Sequence, residues 1–388
     1  MSTNLSPEAK AAREKYLNAN TIEDKILTLE KYISLIPKHK ATEKMVAQLK
    51  SRLVKYRKEL EEKKRRQKAL AKGPVWVIPK EGDAQVCLVG VSNSGKSQLL
   101  NILTGASSKV GEYAFTTTKP EPGVLDCDGA IIQLIDTPSI FENIRESKNG
   151  PMLLSQIRAA DLVVFVIDLT KNVENQLTLL LNELHDGGIR INQKRPSLEL
   201  KKTGSGGALL AGEDKVEATK DEILEILHDQ GYYNFSLKIQ ETMSLLDLVE
   251  ALDEGIMYLK GIIVANKGDC QGSKERFEEL ESKFGTTFEI YPVSATQEIG
   301  LKELKEAIFE HLDLIRVKSK EPNGEIAKKP IVLKQGATVA DVAKIIHSRF
   351  YDNFRIAKVT GPSSKFDDQS VGLNHELKDG DIVEIFAD

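Results

Sequence analysis

The sequence of 388 residues predicts an α/β protein. A mainly parallel sheet with crossover helices carries an inserted α+β subdomain, with a helical hairpin ahead of it and a small β-grasp unit behind it. Three observations carry this reading. Short apolar runs (Val86–Val89, Ile131–Ile135, Val163–Ile167, Ile262–Ala265, Ile290–Val293) alternate with helical stretches, the pattern of strands buried on both faces. The first run leads into Gly90-Val91-Ser92-Asn93-Ser94-Gly95-Lys96-Ser97, which matches the P-loop pattern G-x-x-x-x-G-K-[ST] and opens a helix at Gln98–Leu103. About 95 residues separate the third and fourth runs, far more than one crossover needs.

The hairpin spans 1–72. Ile26, Leu29, Tyr32, Ile33 and Ile36 recur at helical spacing until Pro37 breaks the pattern, and Met45, Leu49, Leu53, Tyr56 and Leu60 mark a second helix from about Thr42. This region holds 19 Lys and Arg against 9 Asp and Glu, whereas the rest of the chain holds 35 against 49. A basic arm on an acidic body suggests an anionic partner, and the run Lys63-Lys64-Arg65-Arg66 makes RNA the first candidate, with a solvated helix face as the plain alternative.

Gly73-Pro74 closes the hairpin. The P-loop domain then occupies 73–171 and 243–317, interrupted by the α+β insertion at 172–242. Within the insertion, Gly204-Ser205-Gly206-Gly207 reads as a flexible loop, since no P-loop lysine follows it. A polar linker at 318–329 leads to the β-grasp unit at 330–388, where Thr338 caps a helix and strands follow at Phe354–Val359 and Ile382–Phe386.

Composition narrows the function classes. With 40% hydrophobic and 29% charged residues the chain is neither collagenous nor wholly disordered. No apolar run approaches the roughly 18–20 residues that span a bilayer, and no export signal is expected, so neither a membrane nor DNA is anticipated as a partner. The cysteines, Cys87, Cys127 and Cys270, lie far apart and fit a reducing, cytoplasmic setting.

The P-loop glycines let the backbone curl around phosphates, and the helix that follows adds a favourable partial charge. Asn93, Ser94, Gly95, Lys96, Ser97 and Gln98 are therefore expected to line the phosphate site. Lys96 should reach the β- and γ-phosphates and Ser97 should ligate Mg²⁺. Asp136 ends the strand Ala130–Ile135 and should hold Mg²⁺ through a water. Thr117, 20 residues after Ser97 in Phe115-Thr116-Thr117-Thr118, should ligate Mg²⁺ while a γ-phosphate is present. Asn266-Lys267-Gly268-Asp269 follows a strand and has the pattern that reads guanine in P-loop GTPases: the Asp269 carboxylate accepts from two donors that adenine lacks as a pair. Ser294-Ala295 ends the next strand, and its Ala295 N–H should contact the guanine oxygen.

With these residues in view, the chain resembles the developmentally regulated GTP-binding proteins, a branch of the Obg-type GTPases. The resemblance runs from about Thr42 to Asp388. It includes Gly187-Gly188-Ile189-Arg190-Ile191-Asn192 in the insertion, and a tail from Gly336-Ala337-Thr338-Val339 to Asp379-Gly380-Asp381 that looks like a TGS domain. It implies a Ras-like G domain that binds GTP and GDP, with a link to translation, RNA or the ribosome and a dedicated partner protein. Two positions depart from common patterns. Ser139 stands where the family has glycine in D-x-P-G, which puts GTP-driven switching in question, and Ile140 stands where Ras-like proteins place a catalytic glutamine. Slow turnover by a Mg²⁺-dependent switch is the resulting expectation, with Lys96, Thr117 and Asp136 as its catalytic groups. Asn93 is a candidate K⁺ ligand, because some P-loop GTPases with asparagine there bind K⁺ between the phosphates. A nucleotide-binding scaffold that docks RNA without hydrolysing is the alternative, and Asp269 argues against an ATPase.

Overall fold

The computed structural model describes residues 6–19, 21–37, 40–68, 77–105, 120–321 and 324–387; for 40–41 and 61–68 it describes the backbone alone. In chain order, α1 (Pro7–Leu17), α2 (Ile22–Ser34) and α3 (Lys40–Lys68) come first. Then follow β1 (Ala84–Val89), α4 (Lys96–Thr104), β2 (Glu121–Cys127), β3 (Ala130–Asp136), α5 (Gly150–Ala159), β4 (Leu162–Asp168), α6 (Val173–Asp186) and β5 (Ile189–Ile191). Next are β6 (Leu198–Lys202), β7 (Ala208–Ala211), α7 (Lys220–Asp229), β8 (Phe235–Ile239) and α8 (Leu245–Leu252). The chain continues with β9 (Met257–Asn266), α9 (Ser273–Phe284), β10 (Ile290–Pro292), α10 (Leu301–His311) and β11 (Leu314–Ser319). It ends with β12 (Ile331–Lys334), α11 (Val339–Ile346), α12 (Ser348–Asp352), β13 (Phe354–Thr360), β14 (Gln369–Val371) and β15 (Ile382–Ala387). Among the described residues no helix is long and apolar enough to cross a membrane.

These elements form two compact units: Met1–Val75 with Gln193–Tyr258, and Trp76–Asn192 with Leu259–Asp388.

In the first unit, the side chain of Thr21 caps α2 by accepting from the Asp24 N–H at 3.0 Å, and the apolar stripe Ile26, Leu29 and Tyr32 packs on Leu49 and Leu53 of α3. The opposite side of α3 is apolar as well. Ala47 and Val54 join Ile223, Leu227, Phe235, Leu237 and Leu248 in a second core, which backs the three-stranded sheet ordered β6-β8-β7. Acidic residues of α2, α7, α8 and the turn after α8 meet the basic residues of α3: Lys44 pairs with Glu222, Lys50 with Glu250, and Arg57 with both Asp253 and Glu30. Lys44, Lys50 and Arg57 are thus balanced inside their own unit. The helical backbone of α3 continues through Lys63–Arg66, whose side chains lie outside the described residues.

The second unit is built on the strand order β10-β9-β4-β1-β3-β2, with β5 also paired to β9. All pairings along this path are parallel except β2 with β3. The two faces carry separate apolar layers. One includes Ile135, Phe165, Leu177, Leu180 and Leu184, and the other includes Leu88, Leu99, Val164 and Ile308. Cys87 lies in the first layer, and burial pushes its thiol up to about 12, so it packs as a small apolar side chain. Close packing sets some residues outright: a Cβ at Gly261 would stand 2.5 Å from Ile191 Cγ2.

Two boundaries differ from those expected. The sequence places the insertion at 172–242, yet α6 and β5 belong to the main sheet, because Leu177, Leu180 and Leu184 bury against it, and the separate unit instead takes in 193–258 with α8. The expected linker at 318–329 and start at 330 also shift. β11 pairs antiparallel with β12 and parallel with β15, so the C-terminal sheet, ordered β12-β11-β15-β13-β14, begins at Leu314 directly after α10. Arg316 anchors this junction. It grips Asp379 with Nε at 3.0 Å and Nη2 at 2.7 Å, reaches Asp128 at 3.1 Å, and lies 4.2 Å above the Phe309 ring. At the β2–β3 turn, a Cβ on Gly129 would stand 2.5 Å from Pro330.

The ion pairs on α3 differ in worth. Asp253 is 3% exposed, so Arg57→Ala leaves a buried carboxylate short of its partner and should cost about 2–3 kcal/mol. Lys44 is largely exposed, and Lys44→Ala should cost under about 0.5 kcal/mol. Urea unfolding of the two variants checks the contrast; equal losses would contradict it.

Candidate functional site

The site is assembled at the carboxyl ends of parallel strands, where open α/β sheets present their loops. β1 runs into the P-loop, and Gly90 sits where a Cβ would meet Val166 O at 2.6 Å. Gly95, at φ +95°, is the N-cap of α4, and no side chain caps that helix. Its first turn carries no acidic residue, a setting that suits an anion at a helix N-terminus. Gly95 is required on two counts, since L-residues avoid its φ and a Cβ there would stand 2.2 Å from Asn266 Nδ2.

Lys96 is buried and lies across this turn. Its ammonium donates to Gly90 O at 3.1 Å, Val91 O at 2.9 Å and Ser139 Oγ at 3.3 Å. Burial lowers its pKa to about 8, partly opposed by Asp136. Ser97 Oγ donates to Asp136 Oδ2 at 2.5 Å, because β3 lies beside β1 with Asp136 opposite Leu88. The segment after Asp136 is laid along the P-loop: Thr137 Oγ1 donates to Leu88 O at 2.7 Å, and the Ile140 N–H to Gly90 O at 3.1 Å. Ile140 is buried in the apolar layer with Ile135 and Ile144, so its side chain serves the core, while the Ser139 hydroxyl meets Lys96.

The second half of the site comes from β9 and β10. Asn266 is buried; its Nδ2 donates to Ser94 O at 2.9 Å and its Oδ1 accepts from Ala295 N at 3.2 Å. The Ala295 N–H, expected to meet a guanine oxygen, is thus engaged by Asn266. Asp269 is exposed, and its Oδ1 accepts from Ser294 Oγ at 2.6 Å, which fixes the carboxylate while leaving Oδ2 for other donors. Lys267, at φ +65°, donates to Asn93 O at 2.9 Å. Asn93 is itself at φ +62° and exposed, and its side chain makes no hydrogen bond among the described residues. Gln98 reaches Thr296 Oγ1 at 3.4 Å. Thr117 and its neighbours Phe115, Thr116 and Thr118 lie outside the described residues.

The expected residues Asn93 to Gln98, Asp136, Asn266, Lys267, Asp269, Ser294 and Ala295 therefore converge. The sequence reading missed one residue of this assembly. Asp168, fully buried at the end of β4, accepts from Lys267 Nζ at 2.7 Å. Its signal was present in the sequence: an acid closing an otherwise apolar strand, at the edge where the other functional residues gather.

A family model described as a 50S ribosome-binding GTPase matches residues 85–202, the C-terminal region of the same domain matches 205–314, and a TGS domain model matches 315–387. The chain is 35% identical over 373 residues to an uncharacterised GTP-binding protein of Methanocaldococcus jannaschii, covering 94% of this chain and 92% of that one. It is 32% identical over 371 residues to the human developmentally-regulated GTP-binding protein 2, covering 94% and 99%. A solved GTP-binding protein from Pyrococcus horikoshii OT3 shares 16% identity, with a TM-score of 0.43 over 78% of this chain and 100% of that one. The long sequence matches, together with a G domain followed by a TGS domain, mean that the chain belongs to the developmentally regulated GTP-binding protein family.

Proposed function

We propose that this GTP-binding protein hydrolyses GTP slowly as a Mg²⁺-dependent switch in the cytoplasm and docks RNA or the ribosome through its basic hairpin. The observation that carries the hydrolytic reading is the side-by-side placement of Lys96, Ser97 and Asp136 beneath the open N-terminus of α4. Lys96 would neutralise the β- and γ-phosphate oxygens. Hard oxygen donors suit Mg²⁺, and Ser97 with Asp136 supplies them; among the described residues no cluster of three or more His, Cys, Asp or Glu could hold a metal, so phosphate and water would complete the shell. Mg²⁺ supplies charge neutralisation at the transferring phosphoryl group. Asp269, held by Ser294, would accept from the guanine, and the Ala295 N–H would be shared between Asn266 and the guanine oxygen. Thr117 would close the site from the loop after α4.

The transition state of phosphoryl transfer is loose, so positioning and charge matter more than a general base. This suits a site in which Ile140 is packed into the core. The same feature favours the second reading, a nucleotide-binding scaffold that docks RNA without turnover. The Asn93 side chain, which makes no hydrogen bond among the described residues, supports K⁺ as an additional counter-charge. Single-turnover assays with and without ribosomes, in K⁺ and in Na⁺, should show a slow rate that rises with ribosomes and is several-fold faster in K⁺. No turnover under any condition would leave the scaffold, and equal rates in the two salts would remove Asn93 as a K⁺ ligand.

Lys96 gives a pH signature. Its pKa of about 8 means that the ammonium is present below pH 8 and is lost as pH rises through that value. If GTP binds the charged form, affinity should fall up to about tenfold per pH unit above 8. Titration calorimetry from pH 7 to 9.5 reads this, and Lys96→Ala should flatten the profile.

For RNA, the charges that matter are those not consumed inside the first unit. Among the described residues Lys58 and Lys202 have no carboxylate partner; both lie against the Tyr232 ring, at 5.1 and 4.8 Å from its centroid. The backbone of α3 carries Lys63–Arg66 about two turns beyond Lys58. Replacing Lys63, Lys64, Arg65 and Arg66 with Gln should weaken binding of a single-stranded RNA at least tenfold in low salt and flatten the salt dependence. Unchanged anisotropy titrations would contradict this docking face.

A further inference from the structure

We propose that Asp168 is a positioning residue for the guanine nucleotide: by holding the Lys267 ammonium across to the P-loop, it sets how long the bound nucleotide stays. The inference rests on the GTP-binding reading and adds to it a residue that none of the nucleotide motifs contains.

Asp168 closes β4 and lies in register with Asn266 of β9, one residue before Lys267. It is fully buried, and a buried carboxylate persists only when paired and hydrogen-bonded. Its Oδ1 accepts from the Thr170 N–H at 2.9 Å and from Thr170 Oγ1 at 2.7 Å. Its Oδ2 accepts from Lys267 Nζ at 2.7 Å, with the half-exposed Lys171 more distant at 3.9 Å. Burial by itself would raise the Asp168 pKa; the Lys267 and Thr170 donors outweigh it and hold the carboxyl below the usual carboxylate range.

The same Lys267 ammonium donates to Asn93 O at 2.9 Å. One flexible side chain therefore bridges the guanine loop and the P-loop, with a buried anion fixing its far end. A lysine left free would have to be ordered each time a nucleotide binds, whereas here that ordering is already done. Lys267 itself has a left-handed φ of +65°. The tie involves none of Lys96, Ser97 or Asp136, the groups at the γ-phosphate end. Loss of Asp168 must therefore act on GDP and GTP alike. A role limited to folding the turn at Thr170 would not depend on Lys267 at all.

The test is release of fluorescent mant-GDP and mant-GMPPNP from the full chain with Mg²⁺, followed by stopped flow. Asp168→Asn keeps the shape and removes the charge, and it should speed release of both nucleotides about tenfold, by the same factor. Lys267→Met should speed release too, and the double variant should be no faster than Lys267→Met alone, because two residues acting through one contact are not additive. Release within twofold of wild type for Asp168→Asn, unequal factors for the two nucleotides, or multiplying effects would overturn the proposal. Should Asp168→Asn alone not fold, the comparison of Lys267→Met with the double variant still decides, since the double variant removes both members of the buried pair; a faster double variant overturns it. A wild-type chain that binds neither nucleotide overturns the GTP-binding reading and this inference together.

Discussion

The contact between Asn266 and the backbone of Ser94 is the constraint on which the rest of the site depends. It draws the loop after β9 onto the loop after β1, so the two loops proposed to read base and phosphate share one seam. The contact exists only because Gly95 has no side chain. Even the smallest one would displace the Asn266 amide, and with it the Ala295 N–H that the other end of Asn266 holds. The glycine of a P-loop is usually explained by the approach of phosphate. Here its first duty is to another part of the same chain.

Electrostatics divide along a similar line. Read as a string, the N-terminal arm is strongly basic and the remainder acidic, which suggests an arm seeking a distant polyanion. In the folded unit, Lys44, Lys50 and Arg57 spend their charge on Glu222, Glu250, Asp253 and Glu30. Part of the asymmetry is thus internal, a pairing of α3 with acids about 180–200 residues further along the chain.

Most of the main sheet and the loops that meet at its strand ends were legible in the sequence, because both are local signals: an apolar run of fixed length, or a motif of fixed spacing. Val163–Ile167 and Gly90–Ser97 needed no distant information. Domain boundaries were less visible, because they depend on what a helix packs against. The stripe Leu177, Leu180 and Leu184 has the same periodicity whether it covers the central sheet or an insertion. β11 does alternate, with Arg316 and Lys318 between apolar residues, but the run is short and its neighbours, β12 and β15, lie further along the chain, so its place in a sheet could not be read locally. Asp168 was overlooked for the same reason: its meaning lies in Lys267, 99 residues away.

The missing linker has a mechanical result. α10 passes into β11 through Leu312 and Asp313 alone, and Arg316 clamps the junction from Asp128 on one side and Asp379 on the other. The terminal module is therefore not a tethered ball but an extension of the nucleotide domain's own framework. A body that grips it meets a preset orientation, with no hinge entropy to remove on contact. One set of its contacts falls at the tip of the β2–β3 hairpin, at Asp128 and Gly129, on the strand pair that leads back to Asp136.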